Sequence, residues 1–362
     1  MEKRKKLITN LVFALLAVVL VVFILDFLTR LLVPKYMSGA LDGAFIAEYY
    51  DETLPHDVVF VGDCEVFSNI SPVAMYREYG ITAFVRGSAQ QLIWQSYYLL
   101  EETFRYEKPK AVVFNVLSLK YDTPQNEAYN RITLDGMKMS SSKLASIKAS
   151  LTEEESFWDY VFPLLRFHSR WSELTSDDWK YLYHRDQVTH NGYYMRIDAK
   201  PVGNLPMAFP LDDYTFGENA MDYLDRMVAL CEENGVELIL MKAPSVWPYW
   251  YDEYEAQIVA YAEEHDLYYI NVLAAADEIG IDYDADTYDA GMHLNIYGAE
   301  KVTSYIGSIL HDEFSLPDHR GDAAYDAVWD EKARFYDEMK EAQLKELSEL
   351  GHLVHFGAVA DE

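Results

Sequence analysis

Between residues 7 and 25 the chain reads LITNLVFALLAVVLVVFIL without a single charge, while beyond residue 57 short apolar runs alternate with amphipathic stretches. Nineteen residues rising about 1.5 Å each come close to the ~30 Å hydrocarbon thickness of a bilayer, which predicts a membrane-spanning helix. Lys3, Arg4, Lys5 and Lys6 precede it, so the N-terminus is expected in the cytoplasm and residues 36–362 on the exported side of a single-pass plasma-membrane protein. Asp26 and Arg30 lie four apart, on one helix face near the far interface. A cleaved signal peptide is the rival reading, with Ser38-Gly39-Ala40 as its small-residue step. Its apolar region would exceed the usual length and would carry Asp26 and Arg30, so the anchor is preferred.

The apolar runs downstream are Val58–Val61, Ile81–Val85, Ala111–Leu117, Val236–Met241 and Leu267–Ile270. Runs this short, apolar on both faces and separated by helical patterns, predict buried parallel strands. The expected fold is therefore α/β, a three-layer sandwich around a central parallel sheet, preceded by one transmembrane helix. Residues 36–56 read as a linker and 57–320 as the main domain. Residues 120–220, rich in Tyr, Trp and polar side chains, read as an insertion beside the active edge, with helical patterns at Ser140–Ser150 and Glu153–Leu165. Residues 321–362 form an amphipathic surface helix and tail, its apolar positions being Ala324, Val328, Phe335, Met339, Leu344 and Leu347.

Charge sharpens this division. The chain holds 30 Lys+Arg against 60 Asp+Glu, a net of -30. Residues 1–35 carry six basic and two acidic side chains, a net of +4, which leaves -34 for the remainder. Such acidity excludes a nucleic-acid partner, whose phosphates would be repelled. Two cysteines rule out a disulfide scaffold; Cys231 falls on a helical apolar stripe and reads as a packing thiol. No glycine-rich phosphate loop occurs, and His184 and His190 lack cysteine company, so neither a cofactor nor a metal is expected.

In parallel sheets ligands bind beyond the C-terminal strand ends. There the chain places Gly62-Asp63-Cys64-Glu65, followed by Asn69-Ile70-Ser71-Pro72 at a helix start; Arg86-Gly87-Ser88; Asn115 within an apolar strand; and Lys242. Asp289 and His293 follow late, in Asp289-Ala290-Gly291-Met292-His293-Leu294-Asn295. A carboxylate near a histidine can fix its tautomer and support it as a general base.

Nucleophile after the first strand, glycine after the second, asparagine on the third and Asp/His near the end is an order that resembles the SGNH/GDSL hydrolase superfamily across residues 57–312. The closest flavour is its membrane-anchored bacterial branch, similar to teichoic-acid D-alanylation proteins and polysaccharide O-acetyltransferases. The blocks that carry the likeness are Gly62-Asp63-Cys64-Glu65 with Pro72, Gly87-Ser88-Ala89-Gln90, and His293-Leu294-Asn295 with Gly298. The resemblance implies acyl transfer or deacylation, with Cys64 as nucleophile, His293 as base and Asp289 as its orienter. It also implies the Cys64 and Gly87 N–H groups and Asn115 as oxyanion donors. Cysteine stands where the family has serine, and Ala290 occupies the usual acid position with Asp289 one step further away. Asp63 and Glu65 flank the thiol with negative charge that opposes a thiolate.

Arg166, His168, Arg170 and Trp171 in the insertion are candidate substrate contacts, since guanidinium groups pair with anions and indoles stack on sugars. The expected partners are a cell-envelope polysaccharide or other acylated polymer and a multi-spanning membrane acyltransferase. The alternative is a degenerate site that binds glycan or that partner without turnover.

Overall fold

The computed structural model describes residues 2–37, 40–41 and 43–354. Ser38 and Gly39 of the small-residue step, and tail residues 355–362, lie outside the described residues. In chain order the main elements are α1 (Glu2–Leu32), β1 (Val58–Gly62), α2 (Cys64–Asn69), α3 (Pro72–Tyr79), β2 (Ala83–Gly87), α4 (Ile93–Tyr106) and β3 (Ala111–Asn115). The insertion contributes α5 (Glu127–Leu134), α6 (Ser141–Ser150), α7 (Phe157–Val161), α8 (Leu164–Phe167) and α9 (Ser176–Lys180). Then follow α10 (Glu218–Asn234), β4 (Glu237–Lys242), α11 (Asp252–Glu264), β5 (Tyr268–Asn271), α12 (Ile296–Asp312) and α13 (Ala323–Leu350).

The five strands of the central sheet are all parallel, in the order β2-β1-β3-β4-β5, and Tyr36–Met37 with Ala40–Leu41 makes a separate antiparallel pair. Period-two alternation divides their side chains between two cores. Val58, Phe60, Val113, Ile239 and Met241 face α3, α12 and α13; Val59, Val61, Val112, Phe114, Leu238 and Leu240 face α4, α10 and α11. The three-layer α/β expectation therefore holds. The order reverses between β1 and β3, the crevice where such folds take ligands.

Boundaries moved where backbone chemistry overrode hydrophobicity. β3 stops at Asn115 because Val116–Lys120 winds into a 3₁₀ turn. The expected helix over 153–165 breaks into α7 and α8 at Pro163, which has no N–H for a helical bond. Residues 43–56 are not a free linker, since Ala44, Phe45, Ile46 and Tyr49 are buried. α13 docks on the core rather than merely lying on the surface. Trp329, Tyr336 and Met339 face inward, with Trp329 stacked on Tyr76 at 4.7 Å, whereas Ala324 and Leu344 are exposed.

The second half of the insertion returns to the sheet. Asn191 O accepts from Val85 N at 2.9 Å and Asn191 Nδ2 donates to Ala83 O at 3.2 Å, so the outer strand β2 is capped along its open side. Gly192 follows at φ 84°, where a Cβ would stand 1.9 Å from Val85 O.

α1 is long and apolar enough to cross a membrane, with a mean hydropathy of 3.2 over its best 18 residues, none of them buried. Its last turn is different: Leu31 and Leu32 are buried against the domain, and Arg170 Nη1 donates to Leu32 O at 2.6 Å.

Candidate active site

Cys64 is the first residue of α2, directly after β1 at the strand-order reversal. Asp63 caps the helix, its Oδ1 accepting from Glu65 N at 3.1 Å. Gly87, level with Gly62 on the adjacent strand, lets this turn close down: a Cβ there would lie 2.4 Å from Val66 Cγ2. The cleft above the thiol is small, ≈ 100 Å³, and bounded by Gln90, Leu117, Tyr121, Gln125, Trp247 and His293 among others.

His293 lines the same cleft as the thiol, near enough for the charge of each group to act on the other. Asp289 grips the histidine twice, accepting from the His293 backbone N at 2.7 Å and meeting Nδ1 at 2.5 Å, which leaves Nε2 for the thiol. The one-residue displacement of the acid is absorbed locally. Ala290 (φ 65°) and Gly291 (φ 95°) both take left-handed conformations, so the loop doubles back and the longer spacing still brings the carboxylate to the ring. Tyr288 stacks on the imidazole at 5.7 Å and 14°, its hydroxyl 3.1 Å from Ser68 Oγ, and Asn69 Oδ1 accepts from Leu294 N at 2.9 Å. The end of α2 thus ties down the loop that carries the histidine.

Beneath the thiol runs a buried polar chain. Asn115 Nδ2 donates to Asp63 Oδ1 at 3.1 Å and to Glu65 Oε2 at 2.8 Å, while its Oδ1 accepts from Ala243 N at 3.1 Å. Lys242 Nζ lies 3.2 Å from Glu65 Oε1 and donates to Ala243 O at 2.6 Å. One expectation changes accordingly: Asn115 is not an oxyanion donor, because both amide hydrogens are committed to carboxylates. Glu65 still opposes the thiolate as its flanking charge predicts, although the wholly buried ammonium of Lys242 pairs with it. Lys242 was visible at a strand end, yet its partner lies 177 positions earlier and only the register of β1, β3 and β4 joins them.

Arg166, His168, Arg170 and Trp171 are not at the cleft. Arg166 pairs with Glu127 at 2.9 Å, His168 Nδ1 meets Leu165 O at 2.8 Å, Arg170 holds the end of α1, and Trp171 is exposed. Their direction could not be read from composition. Gln90, Gln91 and Gln125 line the cleft, with Gln125 Nε2 donating to Gln90 Oε1 at 3.2 Å. Cys231 lies in the other core, and both cysteines are free.

Burial pushes the Cys64 thiol up; His293 offsets this in part, and the Asp63 and Glu65 carboxylates add to it. Burial opposes the imidazolium of His293, but Tyr288, Cys64 and the bonded Asp289 outweigh it and hold the group well above its ordinary value. Burial, then the charge of Glu65, pushes the Asp63 carboxyl up. A raised thiol carries less thiolate at any given pH. Alkylation of Cys64 by iodoacetamide is therefore expected to be slow near pH 7 and still climbing above about pH 8.5, the ordinary thiol value. Peptide mass mapping across the pH range reads this out, and a rate flat through neutrality would instead indicate a preformed thiolate–imidazolium pair. Cys231, pushed up to about 12 by burial, does not compete.

No protein-family model and no curated protein matches the chain. Solved structures do align with it at low identity. A candidate acylhydrolase from Bacteroides fragilis is 14% identical at a TM-score of 0.37, over 75% of this chain and 95% of its own. A GDSL-like lipase from Bacteroides thetaiotaomicron is 12% identical at 0.35, over 74% and 95%. A catalytic mutant of an acetylxylan esterase from Geobacillus stearothermophilus is 11% identical at 0.34, over 70% and 94%.

Proposed function

We propose that the protein is a membrane-anchored esterase or acyltransferase of the SGNH/GDSL type, facing the extracytoplasmic side and acting on O-acyl groups of a cell-envelope polysaccharide. The observation that supports this most directly is the Cys64–His293–Asp289 relay at the C-terminal edge of the sheet. In this reading the neutral form of His293, the minor one near pH 7 because the group is held well above its ordinary value, takes the thiol proton on Nε2 as Cys64 Sγ attacks the acyl carbonyl, while Asp289 holds the imidazole in the required tautomer. In the same reading the first amide of α2, which has no intrahelical acceptor, stabilises the oxyanion. The ester C–O bond breaks, the alcohol leaves with the proton from His293, and a thioester remains on Cys64. Water resolves it in hydrolysis; a polysaccharide hydroxyl resolves it in transfer. The small cleft favours a short acyl group such as acetyl.

The upward shift of the thiol favours a second reading, in which the same cleft binds an acylated glycan or a multi-spanning acyltransferase without turnover. The full chain in detergent, given p-nitrophenyl acetate and a thiol-directed activity probe, separates the two. The enzyme reading expects turnover and Cys64 labelling, with Cys64→Ala losing both. A parent protein that shows neither overturns it.

A further inference from the structure

We propose that the insertion around residues 157–183 is a membrane-docking collar, which rests in the headgroup layer at the exit of α1 and holds the domain against the lipid surface. All three tryptophans that are more than half exposed fall here: Trp158, Trp171 and Trp179. Phe162, Leu165 and Tyr183 are exposed to a similar degree, and Trp158 stacks on Phe162 at 5.9 Å. A water-facing surface does not ordinarily concentrate large aromatic groups in this way, whereas the bilayer interface does.

Its position supplies the occupant. α8 and α9 both contact α1. Arg170 bonds Leu32 O, and the Arg30 guanidinium lies 5.7 Å from the Tyr183 ring centroid. If the uncharged run ends at Leu25, Arg30 and Leu32 stand about 7 and 10 Å beyond the hydrocarbon edge along the helix. The headgroup layer extends about 5–7 Å beyond the core on each side, so Arg30 lies at its outer edge and Leu32 just past it on an untilted helix. The collar is therefore continuous with the membrane-spanning helix and meets the outer edge of the layer where indole and phenol rings settle.

Charge decides the type of surface. The three Lys/Arg side chains of residues 157–183 are already paired, Arg166 with Glu127, Arg170 with Asp178 and Lys180 with Asp186, and Arg30 at the end of α1 pairs with Asp26. The rest of the domain is strongly acidic. Docking thus rests on aromatic partition rather than attraction to anionic lipid, and zwitterionic phosphatidylcholine suffices.

The test uses the full chain in phosphatidylcholine vesicles whose acyl chains carry bromine near the headgroup. Residues 1–35 contain no tryptophan, Trp94 and Trp329 are buried, and Trp247 and Trp250 lie on the main domain, so the anchor itself adds no signal. Brominated lipid is expected to quench the parent, and W158F/W171F/W179F to lose at least half of that quenching while keeping its near-ultraviolet dichroism. As a second measurement that needs no variant, acrylamide quenching of the parent should fall on passing from detergent to vesicles. A chain that floats with the vesicles yet shows neither effect overturns the proposal. Protection that arises only in native membranes also overturns it and indicates a protein partner. A chain that fails to float overturns the spanning reading and the collar with it.

Discussion

Lys242→Met should destabilise the full chain by about 3–5 kcal/mol, the usual consequence of leaving one member of a buried ion pair without its partner. Lys242 is wholly buried and Glu65 nearly so, which leaves little solvent exposure to compensate the lost ammonium. The methionine keeps most of the volume, so the loss reports on charge rather than on a cavity. The check is a thermal or urea unfolding series in detergent that includes Glu65→Gln and the double variant. Because the burden is an uncompensated carboxylate, K242M/E65Q should be more stable than K242M alone. A K242M protein within about 1 kcal/mol of the parent would show that the pair contributes no more than an exposed one. The same substitution should change Cys64 alkylation, since Glu65 would then face the thiol without its counter-charge.

Asp289→Asn is the variant with the largest expected effect on chemistry. The amide preserves the shape but offers a donor where Nδ1 requires an acceptor, so the imidazole settles in the wrong tautomer. In acyl-transfer relays built this way the loss in turnover reaches roughly 10³–10⁴-fold with the fold intact. Turnover of p-nitrophenyl acetate by D289N, set beside its unfolding curve, measures this. Activity within about tenfold of the parent would assign the orienting role to another group.

The sheet was legible because each strand is apolar on both faces, a pattern that needs no knowledge of partners. Cys64 was legible because the end of the first strand fixes which edge of a parallel sheet it occupies, whereas His293, well past the last strand and just before α12, was reached only through the order of blocks in the resemblance. Asp289 was the harder case, since its spacing looks one residue too long until the left-handed Ala290 and Gly291 are known. Asn115 and Lys242 were each noticeable as polar residues in apolar strands, yet what they bond depends on register across three strands. Sequence shows that a buried amide needs partners; it does not show that two carboxylates already claim them. The Arg166–Trp171 stretch failed differently. Its composition suits a glycan site, but short helices set by Pro163 turn it toward the end of α1 and away from the cleft.

The Asn191-Gly192 contact on β2 bears on how this chain could be shortened. A single residue there occupies the donor and acceptor that a sixth strand would otherwise take, and glycine alone fits beside Val85 O. Excising residues 120–220 as a dispensable module would uncover an unpaired strand one step from the strand that leads to Cys64. Two such truncated chains could join edge to edge, so the product expected is an aggregating protein rather than a minimal enzyme.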